Sequence, residues 1–177
     1  MREDTVTTKV YSFAELSDEA KENAIQNLYD INVNYEWWDC EFEDAKTVFL
    51  KITEFDLDRN RHCKGQFIES AEETAEAILR EHGESCETYQ TAKNYLDERT
   101  ALVAKYSDGI KTDEVAEDNE YDFDNDCDEL DNEFLRSILE DYSIMLQKQY
   151  EYLCSEKVII ETIEANEYEF TEDGKLY

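Results

Sequence analysis

The sequence predicts an α+β fold that is mostly helical and carries a small antiparallel β-sheet. Three observations lead there. Long segments repeat apolar residues every three to four positions, the spacing of one helix face. A few short segments are rich in β-branched and aromatic residues, and two of them lie either side of a turn. Proline is absent and glycine occurs only four times in 177 residues, so no flexible linker interrupts the chain. It therefore reads as one acidic domain over 1–177, with an acidic loop at about 111–133 leading into a long C-terminal helical stretch.

Thr5 to Tyr11 reads as an opening strand, with Val6 and Val10 apolar. Ser17 is placed to cap a helix running to about Leu28, with Leu16, Ala20, Ala24, Ile25 and Leu28 on one face. A second helix is expected over Glu36 to Phe49. Adjacent residues on a helix point about 100° apart, so only one of Trp37 and Trp38 can face the core fully. The other becomes a candidate partner anchor. Leu50–Asp58 and Cys63–Ile68 read as two strands of a hairpin turning near Asn60.

Ser70-Ala-Glu-Glu73 is a capping box, in which serine hydroxyl and glutamate satisfy each other's free amides. The helix it starts is expected to end at His82-Gly83 through a left-handed glycine. Ser85 opens the next helix, to about Tyr106, with Tyr89, Ala92, Leu96 and Val103 as its buried stripe. Leu130, Phe134, Ile138, Tyr142, Met145, Gln149 and Leu153 then mark a long amphipathic stretch. Ser155 caps a short helix to about Ala165, and Tyr168–Thr171 makes a last strand.

Five cysteines, odd in number and without a CxxC pair, argue against a disulfide framework and for a reducing cytoplasm. No apolar run approaches a membrane span, and Met1–Val6 does not read as a signal peptide. A 41% apolar fraction supports a packed core despite the charge.

The formal net charge is −30. It excludes direct binding to a nucleic-acid backbone and attraction to anionic membranes. Spread over the roughly 9,000 Å² expected of a compact chain this size, that is about one charge per ~300 Å². A DNA cylinder carries about one per ~110 Å². Resemblance to DNA therefore needs the acid to be gathered, and the sequence does gather it. Between Asp113 and Glu133 there are 12 acidic residues in 21 positions and no Lys or Arg. Asp122, Asp124, Asp126, Asp128, Glu129, Asp131 and Glu133 are accordingly the candidate contacts to a basic nucleic-acid-binding surface.

The same segment also fits other chemistry. Asp122, Asp124, Asp126 and Glu133 match positions one, three, five and twelve of an EF-hand calcium loop. Cys127 stands where that loop needs glycine, and Glu129 where it needs an apolar anchor. An acidic interaction surface and a plain solvated loop remain open beside it. His62, Cys63, His82 and Cys86 are the one zinc-type set, and also the one source of a Cys–His nucleophile. Gly83 interrupts the 82/86 pair, and no nucleophile elbow or glycine-rich phosphate cradle exists. No cofactor is implied. Arg59, Arg61 and Lys64 form the one locally basic cluster and are expected to pair with neighbouring acid.

At Glu15–Lys21, Tyr35–Asp39, Glu54–Arg59, Ser70–Ala75 and Tyr168–Gly174 the chain resembles a family of acidic proteins from bacteriophages and mobile elements. The family has no established activity, so the resemblance transfers no site residues. It implies a context of small non-enzymatic inhibitors of host defence, of the anti-CRISPR and anti-restriction type, some of which mimic DNA. The sequence-level expectation is such an inhibitor in the host cytoplasm, with a calcium- or divalent-metal-binding protein as the alternative.

Overall fold

The computed structural model describes residues 9–109 and 116–177, and side chains except those of 108, 109 and 116–121. Residues 5–8 of the expected opening strand and 113–115 of the acidic run lie outside the described residues. In order, the elements are β1 (Tyr11–Ser12), a 3-10 turn (Phe13–Glu15), α1 (Asp18–Asn27), α2 (Asp39–Thr47), β2 (Leu50–Asp56) and β3 (His62–Phe67). α3 (Ala71–Glu81), α4 (Glu87–Gly109), α5 (Ala116–Leu153), α6 (Glu156–Ala165) and β4 (Glu169–Phe170) follow. Helix dominates, and the strands form two antiparallel pairs, β1 with β4 and β2 with β3.

The chain divides into two compact units: residues 38–147, and residues 1–37 with 148–177.

In the larger unit the β2–β3 hairpin is closed by the expected turn, with Leu50 opposite Phe67 and a bulge between Ile52 and Glu54. The core gathers Val48, Leu50, Ala75, Ile78, Ala92, Phe134, Ile138 and Tyr142. Phe134 stacks between Tyr95 and Phe67, with ring centroids 4.4 and 5.6 Å away. The capping box is formed: the Glu73 amide donates to Ser70 Oγ at 3.1 Å, and the Ser70 amide donates to Glu73 Oε2 at 3.2 Å. The end of α3 differs from expectation. His82 is extended, and Gly83 does not take a left-handed conformation. The His82 side chain instead fastens the turn to α4, its Nδ1 2.7 Å from Thr88 Oγ1.

In the smaller unit, α1 and α6 enclose Leu16, Ala20, Ala24, Ile159, Ile163 and Phe170. Ser17 caps α1 by accepting from the Ala20 amide. Buried Asn32 donates to the Leu153 carbonyl and accepts from the Thr162 hydroxyl, which satisfies an otherwise costly polar group. Trp37 is buried against Tyr150. Trp38, assigned to the other unit, is half-buried and meets the ring of Phe55 edge-on. The tryptophans precede α2 rather than lying within it.

Candidate functional site

The acidic segment is the centre of the functional question, and its conformation corrects the sequence reading. Asp122–Glu133 lies inside the continuous helix α5, not in a loop. The apolar residues explain why. Phe123, Cys127, Leu130, Phe134 and Ile138 recur at intervals of four, three, four and four, which is a helical stripe threaded through the aspartates. Cys127 is buried and Phe123 packs edge-on against Tyr106 at 5.3 Å. That stripe was present in the sequence, but the density of acid obscured it.

The helix also removes the geometry of an EF-hand. A calcium loop bends its backbone so that its carboxylates converge. On α5, residues two apart point about 200° apart, so Asp122 and Asp124 diverge. No cluster of three metal-ligating side chains occurs among the described residues. The zinc-type set is likewise not assembled. His62 and Cys63 belong to β3, His82 closes α3, and Cys86 is exposed ahead of α4. Burial, with Glu140 nearby, pushes the Cys63 thiol up to about 12, away from the thiolate a nucleophile needs.

The seven candidate carboxylates separate into two kinds. Asp126 accepts from the Tyr106 hydroxyl at 2.7 Å and from Lys105 Nζ at 3.2 Å, contacts that hold its carboxyl below the usual range. Asp131 accepts from the Tyr95 hydroxyl at 2.6 Å and from Arg99 at 3.0 Å. These two are struts between α4 and α5. Asp122, Asp124, Asp128 and Glu129 are exposed, and no ion pair to them occurs among the described residues. Glu133 is also exposed, 3.9 Å from Arg136. On the helix wheel Asp122, Asp126, Glu129 and Glu133 share one face, and Asp124, Asp128 and Asp131 another.

The basic cluster is largely consumed within the fold. Lys64 pairs with Glu54 at 2.8 Å and Arg61 with Glu140. Beside the struts, α4 and α5 leave a groove. One stretch of about 540 Å³ lies over Tyr95 and Phe134, and one of about 370 Å³ over Leu102 and Leu130. Glu98, Leu130 and Glu133 line both stretches.

A second polar group, unsignalled in the sequence, ties four helices of the larger unit together. The buried Tyr142 hydroxyl donates to Asp44 Oδ2 at 2.7 Å, and His82 Nε2 approaches the same oxygen at 3.5 Å. His82 and then Tyr142 hold the Asp44 carboxyl below its ordinary value despite partial burial. Its contribution to stability is therefore complete above the unfolded value near ~4 and is lost as pH falls through the lower folded one. Burial raises Asp141 and Glu41, which act in the opposite sense. Asp44→Asn should accordingly be less stable than wild type at pH 7, with the gap closing below about pH 4. Urea unfolding of both proteins from pH 3 to 7 checks this, and a gap independent of pH would dismiss the carboxylate's charge as its source.

No family model, curated protein or solved structure matches the chain. No helix among the described residues is long and apolar enough to cross a membrane.

Proposed function

We propose that the protein is a non-enzymatic, phage-encoded inhibitor acting in the host cytoplasm. Its target is the basic nucleic-acid-binding surface of a host defence protein of the CRISPR or restriction type, which it meets as an acidic mimic. The observation that carries this reading is the set of exposed carboxylates on one helix, Asp122, Glu129 and Glu133 on one face and Asp124 and Asp128 on another. At 1.5 Å per residue, the three charges of the first face over 12 positions amount to one per about 6 Å of axis. One nucleic-acid strand carries one per ~3.4 Å, and a duplex one per ~1.7 Å. The face is sparser than both, and it supports an acidic contact surface closer to a single strand than to a duplex. The net charge of −30 and the resemblance to acidic phage proteins agree with it.

The test uses immobilised protein and host lysate at low salt, with elution by a salt gradient and by a single-stranded oligonucleotide. A nucleic-acid-binding defence protein should elute with the oligonucleotide. For about three neutralised charges, its affinity should fall with salt at a log–log slope of about −2. Reversing Asp122, Asp124, Asp128 and Glu129 to Lys should abolish capture and inhibition. Inhibition unaffected by the four reversals would refute the assignment of this helix.

A further inference from the structure

The groove between α4 and α5 has a chemistry of its own. Its residues on α4 (Thr91, Asn94, Glu98, Ala101 and Lys105) recur every three to four positions, so it runs for about four turns, roughly 20 Å. Leu102 and Leu130 are half-buried along it, while Tyr95 and Phe134 are buried beneath. The rims carry exposed Glu98, Glu129 and Glu133. Two cations border it: Lys105 is paired with Asp126, and Arg136 lies near Glu133. The channel is thus apolar over Leu102 and Leu130, more polar toward Thr91, Asn94 and Ser137, and mainly anionic at its edges.

We propose that this groove is a docking site for a basic amphipathic helix of the partner protein. Apolar side chains at i and i+4 of that helix would seat over Leu102 and Leu130. Lys or Arg on its flanks would face Glu98 on one side, and Glu129 and Glu133 on the other. A four-turn length matches a helix of about 14 residues. A second copy of this chain is disfavoured as occupant, because each copy carries −30. The inference rests on the proposed function only in taking the partner to be basic. It adds that part of the contact is an apolar, shape-dependent seat and not phosphate mimicry.

The probe is a synthetic 14-residue Leu/Lys amphipathic helix, fluorescently labelled, titrated into the full chain. A peptide of the same composition with its periodicity scrambled serves as control. The amphipathic peptide should bind at least tenfold more tightly than the scrambled one. Ala101 is exposed and lines the groove, so Ala101→Trp fills it without changing charge. That substitution should weaken binding at least tenfold. Val103→Trp, at an exposed position about 200° round α4 from Ala101, should leave it unchanged, and circular dichroism should show both variants folded. Equal binding of the two peptides, or an Ala101→Trp variant that binds as wild type, overturns the proposal and leaves charge attraction alone. Because Ala101→Trp preserves all carboxylates, its result is independent of the fourfold reversal that tests the mimic.

Discussion

Replacing Gly174 with alanine is expected to destabilise the smaller unit by about 3 kcal/mol or more, among the largest effects of any single methyl added to this protein. Two causes act together. Gly174 has φ of +82°, where a side chain is strained, and an added Cβ would lie 2.1 Å from the Ala20 carbonyl oxygen. That oxygen is backbone at the start of α1 and cannot rotate away as a side-chain tip would. The turn is held on either side: the Gly174 amide donates to the Thr171 carbonyl, and the Thr171 amide to the Lys175 carbonyl, both at 2.9 Å. Asparagine tolerates positive φ, so Gly174→Asn separates the two causes. It should remain nearly as unstable as the alanine variant, because the overlap with Ala20 persists. Urea unfolding followed by Trp37 fluorescence, in a Trp38→Phe background, reports on the unit concerned. A loss below about 0.5 kcal/mol would mean that the turn and α1 are not in contact as described.

Gly65→Ala is the second large effect, in the larger unit. Here the obstacle is proximity alone. An added Cβ would sit 2.6 Å from the Lys51 carbonyl oxygen across the hairpin and 2.9 Å from Leu139 Cδ2 on α5. The glycine lets the helix lie close on the hairpin beside the bulge between Ile52 and Glu54. A cost of about 2 kcal/mol is expected, which for a unit of roughly 100 residues lowers its melting temperature by about 10 °C. Trimming Leu139 to alanine in the same chain should not restore stability, since the backbone oxygen stays in place. Recovery in that double variant would show instead that the leucine was the obstacle.

Both glycines show how far the chain can be read without its fold. The capping box at Ser70, the hairpin between Leu50 and Phe67, the Ser17 cap and the helix from Glu156 are local events. Each involves residues a few positions apart, so each leaves a sequence pattern. The buried stripe of α4 was legible only in part: Ala92 is buried and Leu96 half-buried, but Val103 is exposed and Tyr95 takes the central place. Periodicity alone leaves undecided which of two adjacent faces meets a neighbour. The acidic run reads as a loop in the sequence because aspartate has low helix propensity. Packing of Phe123, Cys127 and Phe134 outweighs that preference, since most helical stability comes from tertiary burial of one face.

The sequence by itself determined the helical α+β class, the order of elements, and a net charge of −30. Only the tertiary structure decided which carboxylates are struts between helices and which stand exposed. It also decided that α4 and α5 leave a groove between them, and that Asp44, 98 residues before Tyr142, receives its hydrogen bond. The reason is physical. Local patterns record the repeat of a helix or strand, three to four residues or two. A pairing between distant segments is set by how whole faces pack, and it leaves no signature in either segment alone.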